Sequence, residues 1–381
     1  LTYAESQMTV AANNVTLTHT ASELGRPVLD ASGLATTEPI RVGTNTGNTK
    51  RGFILNGIEI KGSQDSSGQD LFDNANLTNN SNGMRISDCF IHGFSGLSDN
   101  IMQTEAGEVF TIQSSSFMFT PKNEQSIRIA GAGAHLFNNC FFSRSGGSST
   151  QREIIDGFRG GGGSDFATAS FCTFIYNDRV TNSTSVITRF GKVINCVIRG
   201  PGDTDAGAST LRGLKAVLSH SFNVVNDMGS SGVPYADSAG NAESAGEGDL
   251  TDAVTFTNGT AIGPTESVIQ SFVLVAGSVG ENQGTAFNNV DVDINGTVRP
   301  QGSAVDMGAF ETPVPYWQDE DNPETHSLKF DPDSFTIYST ANKLVTRRFP
   351  NESKLRQGPY FITIPGPPNI RLRQKPYKSE T

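Results

Sequence analysis

Short apolar strands separated by polar turns recur along most of the chain. In four of them a cysteine occupies the same place, with apolar residues before and after it. These strands are Ile86–Ile91 with Cys89, Phe137–Phe142 with Cys140, Ala169–Phe174 with Cys172, and Val193–Ile198 with Cys196. A strand repeated in this way indicates one structural unit that is used many times.

Weaker copies extend the repeat in both directions. Three of them have serine in the place of the cysteine, at Ser115, Ser221 and Ser271, and an earlier copy has Gly57 there. Successive copies are 24 to 32 residues apart, except for a last interval of 50 residues, which contains Val254–Thr257 near its middle. A period of about 25 residues fits a coil of three short strands and three turns.

The repeat predicts an all-β fold, a right-handed parallel β-helix in which each coil hydrogen-bonds to the next. Equivalent side chains then form ladders with a spacing of about 4.8 Å. Small residues at one ladder position indicate an inward, tightly packed site, so we expect the four cysteines to be buried and structural. The alternatives are two disulfides in a secreted protein, or a metal site.

The repeat also sets the expected domain organisation. Residues 1–50 are expected to form irregular opening coils and a cap, and residues 51–312 to form the parallel β-helix. Prolines and an acidic run predict a linker at 313–327, and 328–381 is predicted to be an extended, basic C-terminal arm. Since the chain begins at Leu1 without a signal peptide, we expect a processed product or a fragment.

Composition and charge support this organisation and restrict the partners. Charged residues make up 18% of the chain and Gly numbers 41, which favours many turns over long amphipathic helices. The net charge is -11, but Lys343–Thr381 carries nine basic and two acidic residues, which leaves about -18 on the rest. An acidic body argues against nucleic acid as a partner. No apolar run is long enough to span a membrane.

Two stretches resemble a known family. Asn295–Glu311 (NGTVRPQGSAVDMGAFE) is similar to the closing motif of pectin-lyase-like right-handed β-helix proteins of bacteria and their phages, and Val15–Thr18, Arg26–Gly33 and Gly57–Gly62 resemble the opening. The resemblance covers about residues 1 to 312. It implies the fold but not the activity, because this architecture hosts lyases, hydrolases, adhesins and virion spikes.

Within the closing motif we expect structural roles. Arg299 and Asp306 are predicted to pair across a turn. Phe310 is predicted to plug the end of the core. No catalytic role is needed to account for this motif.

Candidates for catalysis are few. The best local group lies in the long interval between Cys140 and Cys172 and consists of Arg152, Glu153, Asp156 and Arg159, followed by Gly160–Gly163 and Asp165. Two carboxylates and two guanidinium groups are the residue types of a catalytic patch, and Arg159 and Asp165 are candidates for glycan binding. The alternative is an ion-paired strand and loop without chemistry.

The sequence predicts no metal site and no cofactor. The five histidines, His19, His92, His135, His220 and His326, are scattered, and we expect surface or turn positions for them. Calcium would be needed only by a polysaccharide lyase, in which acidic residues hold the ion beside a strong base.

The C-terminal arm points to assembly. It combines the short apolar runs Phe335–Tyr338 and Tyr360–Ile364 with basic residues, and it is too short to bury a core alone. Packing on another subunit, which would give a homo-oligomer or a larger assembly, fits these features. The alternative is a cap over the last coil of the same chain.

Two function hypotheses follow. The first is a non-catalytic structural or adhesive surface protein, such as a spike, fibre or decoration subunit of a phage virion, or an adhesin. Such a protein would be extracellular, on a virion or a bacterial cell surface, and would bind glycan along the β-helix flank. The second is a polysaccharide lyase or glycoside hydrolase, such as a capsule depolymerase, that uses the 144–165 region.

Overall fold

The fold is that of a computed structural model, which describes part of the chain. The described residues are 2–4, 8–10, 15–18, 26–34, 40–42, 53–62, 71–73, 80–94, 102–103, 108–119, 126–129, 134–145, 153–157, 167–177, 184–202, 210–259, 266–288, 290–312, 336–338, 344–346, 361–362 and 370–371.

The predicted all-β fold and the stacking of coils into a parallel β-solenoid are confirmed. Up to β26 the chain passes through three sides in a fixed cyclic order, and every strand pair within these sheets is parallel. Helix is scarce among the described residues, with one 3₁₀ turn at Ser32–Leu34 and α1 at Glu266–Gln270. Each coil therefore depends on its neighbours for its backbone hydrogen bonds.

The strands are numbered in chain order. The nine-stranded sheet consists of β1 (Thr2–Ala4), β4 (Val28–Asp30), β7 (Glu59–Lys61), β10 (Phe90–His92), β13 (Ser116–Phe119), β16 (Phe141–Arg144), β19 (Thr173–Tyr176), β22 (Val197–Arg199) and β25 (Val224–Asn226). The eight-stranded sheet consists of β3 (Thr16–Thr18), β6 (Ile54–Asn56), β9 (Asn80–Ser87), β12 (Glu108–Gln113), β15 (Leu136–Asn138), β18 (Thr168–Ser170), β21 (Lys192–Ile194) and β24 (Ser219–Ser221).

The third side contains two sheets. The three-stranded sheet consists of β2 (Met8–Val10), β5 (Ile40–Val42) and β8 (Phe72–Asp73). The six-stranded sheet consists of β11 (Met102–Gln103), β14 (Ile127–Arg128), β17 (Ile155–Asp156), β20 (Thr184–Thr188), β23 (Leu211–Lys215) and β26 (Val233–Ala236).

Inward side chains of successive coils stack into ladders that form the core. In the nine-stranded sheet Phe117, Phe142 and Phe174 occupy one inward row. Their rings stack with centroids 5.1 and 5.0 Å apart. Phe137 and Val193 belong to an inward row of the eight-stranded sheet, and both are fully buried. The core is therefore a column of apolar rows.

The cysteines lie in a two-residue turn between the eight-stranded and the nine-stranded sheet. The first turn residue has a positive φ, for example 57° at Asn139 and 55° at Asn195, and the second is Cys140 or Cys196. Their thiols donate to carbonyl oxygens two residues earlier, at 3.1 and 3.3 Å. A small side chain with a weak donor is therefore suited to this place.

The register corrects three of the predicted copies. Gly57 pairs with the positive-φ position of the next coil, so Ile58 stands in the cysteine row. Ser221 lies at the end of β24, and Asn223 occupies the cysteine row instead. Ser271 lies outside the coils, directly after α1. The alignment was wrong by one residue at Gly57 and by two at Ser221, and Ser271 belongs to an apolar stretch outside the coils, because a short apolar pattern alone does not fix the register.

All four cysteines are buried and free. Burial raises the pKa of Cys89 to about 11, and it raises the pKa of Cys140 and Cys196 well above the usual value. Because all four thiols are buried and out of reach of the reagent, we expect no alkylation of the folded protein by iodoacetamide and four adducts after denaturation, measured by intact mass. Labelling of the folded protein at the rate of the denatured one would contradict this burial.

The regular strands of the coils end earlier in the chain than predicted. Within residues 1–50, where irregular opening coils were expected, strands β1, β2 and β3 already pair in parallel with later coils. Up to Thr312, the described residues contain no further strand of these sheets after Ala236. Residues 51–312 are therefore not one continuous β-helix.

Residues 251–259, 266–288 and 290–312, here called the closing segment, pack on the outer face of the nine-stranded sheet. The face supplies an apolar ladder that consists of Phe90, Met118, Phe141, Ile175, Val197 and Val224. The closing segment covers this ladder with Phe256, Ile269, Phe272, Leu274, Met307 and Phe310. In the sequence, its apolar residues resemble those of further coils, because packing against an outer face also requires apolar side chains.

The expected role of Phe310 was wrong. Its ring lies 6.1 Å from that of Phe141, an outward residue of the nine-stranded sheet, so Phe310 does not plug the end of the core. The end is closed by residues 237–250, here called the end segment. Phe222 N donates to Glu247 O at 2.8 Å, and Val225 N donates to Leu250 O at 2.9 Å. The last strand edge is thereby partly paired.

The chain divides into two compact units, Leu1–Thr312 and Pro313–Thr381. In the second unit β27 (Thr336–Tyr338) pairs antiparallel with β28 (Leu344–Thr346), and β29 (Phe361–Ile362) pairs antiparallel with β30 (Ile370–Arg371). Among the described residues, none of the helices has the length and hydropathy required to span a membrane.

Candidate functional site

The candidate catalytic patch is only partly described. Asp156 belongs to β17, and Glu153 lies two residues before this strand. The other candidates, Arg152, Arg159, Asp165 and Gly160–Gly163, lie outside the described residues. Glu153 is half-buried, and its backbone oxygen accepts a hydrogen bond from Arg144 Nη1 at 3.3 Å. The structure therefore tests the geometry of two of the predicted residues.

Asp156 is buried and ion-paired. Only 1% of its side chain is exposed, and Oδ1 lies 2.5 Å from Arg189 Nη2. Burial, reinforced by the charge of Glu153, raises the pKa of Asp156 from 3.8 to about 6, although Arg189 opposes the shift. In this arrangement the carboxylate is held by the protein itself and does not face a substrate.

The raised pKa of Asp156 predicts a pH dependence of stability. Between pH 3.8 and about 6 the folded chain binds more protons than the unfolded chain. Stability should therefore fall as pH rises through this window, and the loss should be roughly 3 kcal/mol. Asp156→Asn should remove this contribution, which can be measured by urea unfolding at several pH values.

Asp252→Asn, at an exposed position, is the matched control and should keep the pH dependence of the unmodified protein. Equal slopes for the Asp156→Asn variant and the unmodified protein would show that Asp156 does not titrate in this range.

The expectation of surface or turn positions was wrong for His92, His135 and His220, the histidines among the described residues. His92 Nε2 lies 2.9 Å from Glu59 Oε1, and its side chain is only 7% exposed. His135 is buried, and its Nδ1 accepts a hydrogen bond from Phe110 N at 3.0 Å. His19 and His326 lie outside the described residues. The part of the chain that is described contains no group of three potential metal ligands.

His220 points into the last layer of the core. It continues the inward row of Val193, and its ring stacks on Tyr235 with centroids 4.7 Å apart. Its Nδ1 lies 2.5 Å from Oδ2 of Asp249, whose side chain is fully buried. This pair ties the end segment to the last coil, which explains a histidine at an inward position.

Arg299 does not form the predicted ion pair with Asp306. Its Nη1 donates to Glu311 Oε2 and to the backbone oxygen of Asp306, both at 3.0 Å. Its Nη2 donates to Gly308 O at 2.8 Å and to Asn139 Oδ1 at 3.3 Å. Glu311 is fully buried beside Arg299, so the sequence identified the cation but not its partner.

The carboxylate of Asp306 binds backbone groups instead. It accepts hydrogen bonds from Asn282 N at 2.7 Å and from Thr312 N at 2.6 Å. Two turn asparagines hold the closing segment from the solenoid side: Asn139 donates to Val292 O at 3.1 Å, and Asn195 donates to Thr285 O at 2.6 Å. These contacts support a structural function for the motif.

The outer face of the eight-stranded sheet carries an ordered set of polar side chains. Asn56 donates to Thr18 Oγ1 at 3.1 Å and accepts from Ser87 Oγ at 2.8 Å. In a later part of the same row Ser170 Oγ donates to Asn138 Oδ1 at 2.8 Å. These hydroxyl and amide groups lie in register across successive coils. Their arrangement is that of a flat surface and not of a pocket.

The charged groups on the outer face of the nine-stranded sheet are paired with one another. Lys61 Nζ lies 3.2 Å from Asp30 Oδ2, and Glu59 is bound to His92. Hydrogen bonds from the side chain and backbone of Ser32, with a smaller contribution from Lys61, lower the pKa of Asp30. We regard this part of the face as an ion-paired border of the closing segment.

No known protein-family model matches the chain, and no curated protein matches it either. The function therefore has to be argued from this geometry. Sequence analysis missed the polar face of the eight-stranded sheet. Its signal is the polar residue directly before each turn, as at Asn56, Ser87, Asn138 and Ser170, but these places can be aligned only when the register between coils is known.

Proposed function

We propose that the protein is a non-catalytic structural or adhesive protein of a virion or bacterial cell surface, such as a spike, fibre or decoration subunit. It binds glycan along the flank of its solenoid. The observation that carries the proposal is the ordered, partly exposed polar face of the eight-stranded sheet. Hydroxyl and amide groups in fixed positions match the hydrogen-bonding groups of sugars.

Pre-ordered side chains make such a face suitable for binding. The hydrogen bonds among Thr18, Asn56 and Ser87 hold these groups before any ligand arrives. Less side-chain entropy is lost on binding as a result. Because the solenoid backbone is parallel and regular, side chains in equivalent positions lie about 4.8 Å apart from one coil to the next, which suits an extended polymer.

One observation favours a glycoside hydrolase as the second candidate. The pKa of Asp156 is raised to about 6, a property of the acids that protonate a leaving group. The carboxylate is nevertheless buried and bonded to Arg189, so the non-catalytic function is better supported.

Assembly through the second unit is part of the proposal. The stretch Lys343–Thr381 has nine basic and two acidic residues, whereas the rest of the chain is acidic. Attraction between opposite charges on neighbouring copies would hold a homo-oligomer together. Sedimentation of the full chain should then show a mass that falls as salt is raised, whereas a salt-independent monomer would contradict assembly.

The proposed function is tested by incubating the full chain with a panel of bacterial and algal polysaccharides. We expect the protein to migrate more slowly in gels that contain a polysaccharide to which it binds. We expect no new reducing ends and no ultraviolet absorbance of unsaturated products. Reducing ends would identify a hydrolase, and unsaturated products would identify a lyase. Either result would overturn the non-catalytic function.

A further inference from the structure

The outer face of the eight-stranded sheet differs in charge from the rest of this acidic protein. Two outward rows are described on it. One consists of Thr16, Ile54, Arg85, Thr111, Leu136, Thr168, Lys192 and Ser219, and the other consists of Thr18, Asn56, Ser87, Gln113, Asn138, Ser170, Ile194 and Ser221. These two rows contain two cations and no carboxylate.

Other outward faces of the solenoid do carry carboxylates. Asp30 and Glu59 lie in the outward rows of the nine-stranded sheet, and Asp156 lies in β17 of the six-stranded sheet. Residues 1 to 342 carry about -18 in total. Two outward rows whose only charges are positive are therefore a local exception on such a body, although β12 of the same sheet also contains Glu108.

Neither of the two cations forms an ion pair among the described residues. Within the described residues, neither Arg85 nor Lys192 has a carboxylate within 4.0 Å. Arg85 is exposed, and Lys192 Nζ is held 4.4 Å above the ring centroid of Phe287. Asp88, in the turn that follows this face, is bound to Arg26 at 2.7 Å.

The spacing of the cations fits a polymer. Arg85 in β9 and Lys192 in β21 occupy the same outward row and are separated by four strand steps. Four steps correspond to about 19 Å across the sheet. Between them the face presents Thr111 and Thr168, which are half-buried, and the exposed amide of Gln113 in the parallel row.

We propose that this face binds an acidic polysaccharide, with its anionic groups at Arg85 and Lys192 and its hydroxyl groups at the threonine and amide side chains between them. This inference rests on the proposed function and specifies the surface and the class of glycan. The chain lies across the strands, so that one polymer contacts both cations. The half-buried Leu136 offers an apolar contact between them.

The test uses the full chain and affinity electrophoresis in gels that contain alginate or hyaluronate as acidic probes, or dextran as a neutral probe. Arg85→Gln and Lys192→Gln should each weaken binding to the acidic probes by roughly two- to five-fold. The double variant should weaken it by roughly ten-fold, because both contacts act on one polymer. Raised salt should weaken binding to the acidic probes in the same way.

Lys215→Gln is the matched control, since Lys215 is half-buried on the six-stranded sheet and should leave binding unchanged. Equal binding of dextran, or binding to acidic probes that the double variant keeps, would overturn this inference and leave the proposed glycan-binding function standing. Failure to bind any polysaccharide would overturn both. Cleavage of alginate or hyaluronate would overturn the non-catalytic function alone, provided that the double variant still loses affinity.

Discussion

Replacing Asp249 by alanine should destabilise the first unit by roughly 5 kcal/mol, because several buried donors lose their acceptor together. Asp249 Oδ1 accepts from Asn223 N at 2.8 Å and from Asn223 Nδ2 at 3.0 Å. Its Oδ2 accepts from Gly246 N at 2.8 Å and lies 2.5 Å from His220 Nδ1. No water can replace these bonds without opening the end segment.

The free energy of unfolding by urea measures this effect. Asp252→Ala is the matched control, since Asp252 is exposed and lies three residues further along the chain. Its effect should stay within about 0.5 kcal/mol. A loss of less than about 1 kcal/mol in the Asp249→Ala variant would mean that Asp249 does not hold the end of the solenoid.

Replacing Arg299 by methionine should cost about 4 kcal/mol, because it leaves Glu311 buried without a compensating charge. Both side chains are fully buried, and their closest approach is 3.0 Å. Arg299 also bonds to Asn139 across 160 residues of sequence, and its guanidinium lies 4.8 Å from the ring centroid of Phe171. The loss should therefore weaken the attachment of the closing segment to the solenoid.

A double-mutant cycle separates the ion pair from the packing. Glu311→Gln removes the buried charge and keeps one acceptor oxygen, which can serve either Gln301 N or Asp306 N but not both. The Arg299→Met, Glu311→Gln variant should recover roughly 2 kcal/mol of the loss in the Arg299→Met variant. Binding of an apolar dye should rise in the Arg299→Met variant as the apolar outer ladder becomes accessible. Strictly additive effects would argue against coupling between Arg299 and Glu311.

Much of the solenoid could be predicted from local sequence. The four cysteines share one place in the coil because a small, weakly polar side chain suits this turn, although Ile58 and Asn223 occupy the same row in other coils. This preference recurs in most of the coils and so leaves a period in the sequence. The apolar rows on either side follow from the alternation of strand residues.

The candidate site could not be predicted in the same way. Asp156 looked like a catalytic carboxylate next to Glu153, but its partner, Arg189, comes from the following coil, 33 residues later. Likewise Arg85 and Lys192 are far apart in sequence. They share one outward row only because four successive strand pairings connect β9 to β21. The number of residues between two positions in the sequence does not predict these contacts, because they depend on the register between coils.

The sequence by itself determined the repeating coil and the largely apolar core, whereas the cysteines, which were expected within strands, lie in turns between two sheets. Only the tertiary structure decided that residues after Ala236 leave the coils and that the closing segment covers Phe141 from outside. The physical reason is that an apolar side chain has the same pattern whether it packs inside a coil or against its outer face. The choice depends on contacts such as Arg299 with Asn139, which join distant parts of the chain.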